Sequence, residues 1–242
     1  MTKTLFDPTA AVGYFFNKFL FGGVLVTVGL TVAAVVGGLL FGMVIAQMRM
    51  SNHRALSGVA RFYIWFFRGT PLLIQLVVIY VGLPQFGLKF SVITCALVGL
   101  ILNEAAYLAE VIRSGFLAVP PGQSEAAWAL GLPKSTTLRR VTLPQAFRLM
   151  IPPLGNSINS LLKATSLASV ISVEELMRRS DVLMQEHFQV LEVYGAATVY
   201  YLLLTSAWDV VQGRLEKHFG RSTVAVTSKA MPKGALVADA AR

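Results

Sequence analysis

Two apolar runs of this chain each carry polar side chains of the kind that hold a solute rather than transform it. One contains Asn103, Glu104, Tyr107 and Glu110, the other Asn156, Asn159, Lys163 and Ser166. Amides, a carboxylate and an ammonium in hydrophobic surroundings can bind a small zwitterionic or cationic molecule, or join helices by hydrogen bonds. Catalysis is a poor fit. The chain lacks a serine, histidine and carboxylate set suited to it, and His53, His187 and His218 show no metal-ligand spacing. No GxxxxGK[ST] phosphate loop is present either, so nucleotide energy would have to come from another chain. A third group of residues lies in a polar, basic insert over 120–156: Glu125-Ala126-Ala127, then Gly131, then Leu143-Pro144.

The elements that must position these residues are long and apolar. The 242 residues are 55% hydrophobic and only 14% charged, whereas a soluble domain carries about 25% charged residues. Residues 19–48 and 69–88 contain no ionisable side chain, and about 20 apolar residues cross a bilayer as a helix. The first run is too long for a signal-peptide core and is expected to be retained. Together with runs interrupted by single charges, the pattern predicts an all-α membrane protein of five transmembrane helices. They fall at about 19–48, 62–84, 90–113, 147–173 and 192–213, within one transmembrane domain, 1–221. A short interfacial helix is expected around 10–19, and a disordered tail over 222–242. Cys95 is the lone cysteine, so no internal disulfide can form.

Charge distribution sets the expected orientation. Fourteen basic residues fall on one side of the five spans: three between spans one and two, five between three and four, six in the C-terminal tail. The other side has Lys3, Lys18, Lys89, Arg178 and Arg179. The positive-inside tendency places the N-terminus outside and the C-terminus in the cytoplasm. The net charge of +9 follows from this topology and needs no nucleic acid.

Within the insert, Ser124 is an expected N-cap for a helix over 125–130, with Glu125 in its first turn at the positive end of the helix dipole. Gly131 is expected to end that helix, and Pro133 to prevent its continuation. A two-turn helix is marginal alone in water and must pack against something. At the start of span two, Gly69 and Pro71 loosen the helical ladder and mark a structural hinge.

The insert resembles the EAA loop of permeases in ATP-binding-cassette importers, through Glu125, Ala126, Ala127, Gly131, Leu143 and Pro144. The string Phe67-Arg68-Gly69-Thr70-Pro71-Leu72-Leu73-Ile74-Gln75 is similar to a signature of the polar amino-acid branch of type I importers, the histidine, glutamine and arginine permeases. Residues 106–113 and 162–167 extend the resemblance, with Ala164 standing where many relatives have an acid. The resemblance implies that a cytoplasmic coupling helix between spans three and four docks on a separate ATPase. Partners would then be a second permease subunit (a homodimer or a sister chain), two ATPase subunits, an extracytoplasmic solute-binding protein and the lipid bilayer. ATP and magnesium would act on the ATPase, with no cofactor or metal on this chain. The implied place is the bacterial inner membrane, and the implied activity is amino-acid import by alternating access, not an enzymatic reaction. A stand-alone secondary transporter or channel is the alternative, which leaves the EAA loop without a role.

For the substrate pathway the expected residues are Asn103, Glu104, Tyr107, Asn159, Lys163 and Ser166. Asn156, Asn159, Lys163 and Ser166 share one helical face, with Ser160 beside it. Glu110 has a local partner in Arg113 at three residues' spacing. Glu104 has no opposite charge one turn away, so its partner is Lys163, a substrate ammonium or a proton. The expectation is that Asn103, Glu104 and Lys163 help line a central cavity.

Overall fold

A computed structural model describes residues 6–220; the expected disordered tail lies outside the described residues. Among the described residues every regular element is helical. The chain begins with α1 (Pro8–Phe15), capped by Asp7, whose side chain accepts from the backbone N–H groups of Thr9 and Ala10. Those bonds, with one from the Thr9 hydroxyl as the largest influence, hold the Asp7 carboxyl below its usual range.

After Asn17, which caps it, α2 (Lys18–Met50) runs 33 residues. At 1.5 Å per residue that is about 50 Å, well beyond the roughly 30 Å of a hydrocarbon core. Its C-terminal half lies close against α5 (Val92–Leu117). Glycine makes the approach possible: a Cβ at Gly42 would sit 3.1 Å from the Ala105 carbonyl oxygen and 3.2 Å from Leu108.

Between these two, the chain crosses in two pieces. α3 (Arg54–Gly69) and α4 (Leu72–Val77) meet at an angle of 102° measured over the extended second piece, Leu72–Phe86. A π turn (Val78–Gly82) and a 3-10 turn (Leu83–Phe86) continue α4, and Gly87, at φ 82°, ends it. The expected second span, 62–84, thus falls on a sharply bent helix pair. It starts earlier than its apolar run because α3 is amphipathic, with Ser57, Ala60 and Ile64 buried and Phe62, Trp65 and Phe66 exposed. The break falls over residues 69–72, where Pro71 supplies no N–H and its predecessor is extended.

Next come α6 (Pro121–Ala129) and a nearly continuous helical stretch formed by α7 (Lys134–Thr137), a π turn (Leu138–Thr142) and α8 (Leu143–Ala164). A 3-10 segment, Thr165–Ile171, turns the chain at Ser172, φ 69°. α9 (Leu176–His187) and α10 (Val190–Gly220) complete the fold. The central core joins Leu30 and Ala34 of α2, Leu76 of α4, Cys95 and Leu100 of α5, and Leu161 of α8. A second cluster packs α1, α2, α9 and α10 through Tyr14, Leu20, Leu176 and Val193.

Three helices, α2, α5 and α10, are long and apolar enough to cross a membrane, and the bent pair makes a fourth if it is one span. α8 is long enough at 22 residues but is less apolar. Arg148, Lys163, two asparagines and three prolines interrupt it.

Candidate functional site

The insert folds into a short, sharply bounded helix. α6 starts at Pro121, with Pro120 in the cap position and no side-chain cap. Ser124 is therefore not the N-cap, and Glu125 is the fifth residue of the helix rather than part of its first turn. Proline's fixed φ suits the first helical position, so Pro120-Pro121 starts the helix ahead of the serine. The Ser124 hydroxyl instead lies 3.4 Å from that of Thr142. Gln145 Nε2 donates to Gln123 Oε1 at 3.3 Å, a second tie between α6 and the base of α8.

The other end of α6 has two crossed hydrogen bonds. Leu132 N–H donates to the Ala127 carbonyl and Gly131 N–H to that of Trp128, with Gly131 at φ 77°. That is a Schellman termination, which needs a left-handed residue at the glycine position. Ala127 is buried against the rest of the chain, whereas Trp128 is 51% and Leu130 82% exposed. Glu125 and Ala126 are exposed as well. Pro144 lies in the first turn of α8, directly after Leu143 and the π turn.

Between them, α5 and α8 flank an open cavity of about 510 Å³. Asn103, Glu104 and Tyr107 line it from α5, and Asn156, Ser157 and Ser160 from α8. Leu72, Val111 and Leu161 supply apolar wall. Glu104 is 4% exposed, and its Oε1 accepts from the Ser157 hydroxyl at 2.6 Å. Tyr107 is 40% exposed, and the Arg68 guanidinium stands 5.2 Å from its ring centroid. Glu110 is held by Arg113 at 2.7 Å and Arg49 at 3.9 Å.

Asn103 does a second job. Its Nδ2 donates to the Phe67 carbonyl and to Gln75 Oε1, both at 3.1 Å. Gln75 Nε2 in turn donates to the carbonyls of Phe67 (3.0 Å) and Thr70 (3.1 Å) and to the Thr70 hydroxyl (2.8 Å). The two amides thus satisfy carbonyls that the break between α3 and α4 would leave bare, and fix the wall above the cavity.

Asn159 and Lys163 lie on α8 outside the cavity lining, roughly a quarter turn from its centre, and Ser166 lies beyond the end of α8 in the 3-10 segment. Asn159 Nδ2 donates to Asp209 Oδ1 of α10 at 2.8 Å, and the Ser166 hydroxyl donates to the Lys163 carbonyl. Lys163 is exposed, and no ion pair joins it to Glu104. The structure brings together Asn103, Glu104 and Tyr107 and sets the other three apart.

Three contributors were missed in sequence. Ser157 is one step off the polar stripe of α8 and was not singled out. Gln75 closes the string that begins at Phe67, yet nothing local said which carbonyls it would reach. Asp209 had a signal: it is the lone acid in residues 193–213.

Comparison with known proteins adds three findings. A family described as the inner membrane component of binding-protein-dependent transport systems matches residues 38–221. The arginine transport system permease protein ArgU of Corynebacterium glutamicum is 40% identical over 94% of this chain and 76% of its own length. The octopine transport system permease protein OccM of Rhizobium meliloti is 41% identical over 76% of this chain and 79% of its own. Among solved structures, a chain from the crystal structure of an amino acid ABC transporter with histidines superposes with a TM-score of 0.83. That chain is 37% identical, and the match covers 88% of this chain and 98% of the other.

Proposed function

This chain belongs to the family of inner membrane components of binding-protein-dependent transport systems, and on that premise we propose that it is the permease of an ATP-driven importer for polar amino acids or close derivatives such as opines. The α6 surface is the observation that carries this reading. A two-turn helix leaves Trp128 and Leu130 exposed beside Arg139 and Arg140 in the same insert. A stable helix of that length needs a partner, and a separate ATPase supplies it. Relatives named as arginine and octopine permeases support the solute class. The family description names a component of a system, which counts against a self-sufficient carrier or channel.

In this reading the spans are α2, the bent α3–α4 pair, α5, α8 and α10, with the N-terminus outside and the basic insert in the cytoplasm of a bacterial cell. Two permease subunits sit above two ATPase subunits that bind ATP and magnesium, and a solute-binding protein delivers from outside. The ATPases close on ATP and drive the coupling helices together; the ties from Gln123 and Ser124 to the base of α8 carry that motion to the cavity wall. Glu104 receives the ammonium of an amino acid, with Asn103 in the same wall, in a cavity whose volume lies in the usual range for small ligands.

The test is purification with candidate ATPases, followed by ATP-dependent uptake of labelled amino acids in proteoliposomes with the binding protein inside the assay. Gly131→Pro and Glu125→Lys are expected to abolish uptake and leave membrane insertion intact. Uptake that proceeds without an ATPase, or normal uptake in both variants, refutes the docking mechanism.

A further inference from the structure

A second cavity, of about 540 Å³, lies between the last third of α2, the end of α5 and the start of α8. Leu39 and Met43 of α2, Ile112 and Phe116 of α5, and Phe147 and Leu154 of α8 supply its wall, and among the described residues Gln47 is the one polar side chain in the lining. That lining runs on α2 from Leu39 to Met50 and on α8 from Leu154 back to Leu143, about 16 Å on each helix at 1.5 Å per residue. The depth is close to half of a hydrocarbon core of about 30 Å, a single leaflet. Volume over length gives a mean cross-section of about 34 Å², less than half that of a helix about 10 Å across. A transmembrane helix does not fit such a slot, whereas an acyl chain does. At the cytoplasmic end the lining reaches Leu138, and the next two residues of the π turn, Arg139 and Arg140, are exposed. Among the described residues neither guanidinium is in an ion pair.

We infer that this slot holds an anionic phospholipid of the cytoplasmic leaflet, with one acyl chain against α2, α5 and α8 and its phosphate at Arg139 and Arg140. The inference goes beyond the importer reading and takes from it only the placement of the basic insert in the cytoplasm. Two observations choose this occupant. First, an apolar lining one leaflet deep has nothing to offer a free phosphate ion and lies beyond the reach of a cytosolic protein. Second, two successive arginines at the mouth of the slot complement a negative headgroup. Guanidinium groups donate in a fixed fork to phosphate oxygens, and basic pockets between helices on the cytoplasmic side suit anionic headgroups. A zwitterionic lipid would bring its own ammonium against the same two cations.

The experiment reconstitutes the full chain in phosphatidylcholine vesicles containing a trace of phosphatidylglycerol with a diazirine in its acyl chain, or of phosphatidylcholine with the same group. After illumination the labelled peptides are mapped by mass spectrometry. The anionic probe is expected to label residues 39–50, 112–116 and 147–154 about fivefold or more above the zwitterionic one. Excess unlabelled phosphatidylglycerol is expected to suppress that label, and inorganic phosphate to leave it. Arg139→Gln combined with Arg140→Gln is expected to remove the preference for the anionic probe. Met43→Trp, which fills the slot, is expected to remove the label from either probe, and Arg178→Gln, on the opposite side of the membrane, to change nothing. Should Met43→Trp fail to insert, the arginine pair decides alone. Equal labelling by the two probes, label spread evenly over the exposed faces of α2 and α10, or an undiminished preference in the double arginine variant would overturn the site. So would competition by inorganic phosphate, or loss of the label on adding ATPase subunits, which would give the arginines to that partner. ATP-dependent uptake by the wild-type chain is measured in parallel, so failure of the lipid site is told apart from failure of the importer reading.

Discussion

Replacing Gln75 by leucine removes the centre of the amide knot that holds the bent α3–α4 pair, and its cost can be worked from the bonds. Gln75 Nε2 serves the carbonyls of Phe67 and Thr70, and its Oε1 accepts from Asn103. With leucine there, the Phe67 carbonyl keeps its bond from Asn103 Nδ2, but the Thr70 carbonyl loses the one side-chain donor it has here. Asn103 also loses one of its two acceptors. An unsatisfied buried polar group costs about 1–3 kcal/mol, while side-chain hydrogen bonds between membrane helices average nearer 0.6 kcal/mol. One orphaned carbonyl and one half-satisfied amide therefore predict a loss of about 1–3 kcal/mol for Gln75→Leu. Asn103→Leu leaves the Phe67 carbonyl with its Gln75 donor and removes the partner of Oε1, so it costs less. Because the two amides share the Phe67 carbonyl, the double variant is expected to differ from the sum of the singles by at least about 0.5 kcal/mol. Thermal unfolding of the detergent-solubilised chain measures all three, with ATP-dependent uptake as the functional readout. Additive losses of a few tenths each would refute the knot as the support of the bend.

Three further outcomes follow from single sites. Glu104→Gln is expected to lower uptake of a cationic or zwitterionic amino acid by about tenfold or more, since an ion pair at that carboxylate becomes a neutral hydrogen bond; unchanged kinetics and substrate choice would remove it from the pathway. Gly131→Ala is expected to weaken the termination of α6 by about 1–2 kcal/mol, read as reduced ATPase co-purification, because a left-handed φ of 77° strains any L side chain although the space there is open. Gly42→Leu is expected to cut the yield of folded protein severely, because a Cβ alone would sit 3.1 Å from a backbone oxygen of α5; normal folding would show that α2 and α5 can separate without penalty.

Composition and run length made the helical class legible, since few ways exist to satisfy a backbone through 30 uncharged residues other than a helix in lipid. The short helix α6 was legible too at its C-terminus: Gly131 takes the left-handed conformation that only a glycine adopts freely. Its start was not, because Ser124 and Pro121 both offer a beginning and the choice rests on which cap is preset. Periodicity assigned Asn156, Asn159, Lys163 and Ser166 to one stripe, but Asn156 lines the cavity and Ser166 falls past the end of α8. Which neighbour a stripe faces is set by the packing angle of α8 between α5 and α10, and that information is not local. The 102° bend was announced by Gly69 and Pro71, yet its size depends on Gln75 reaching back eight residues to Phe67.

The two surfaces that matter here meet in α8. Its base is tied to α6 through Thr142 and Gln145, its middle holds Glu104 through Ser157, and its outer face carries Lys163. Helical hydrogen bonds make such a rod stiff, so a displacement at α6 reaches Ser157 unless the rod yields between them. Pro152 and Pro153 lie in that interval and donate no backbone hydrogen bonds, so the ladder there is missing two rungs. Bending therefore concentrates just below Asn156, and the Ser157–Glu104 hydrogen bond is the first cavity contact above it. A displacement of α6 is in this way taken up first at Pro152 and Pro153, next to the Ser157–Glu104 hydrogen bond, rather than spread evenly along α8.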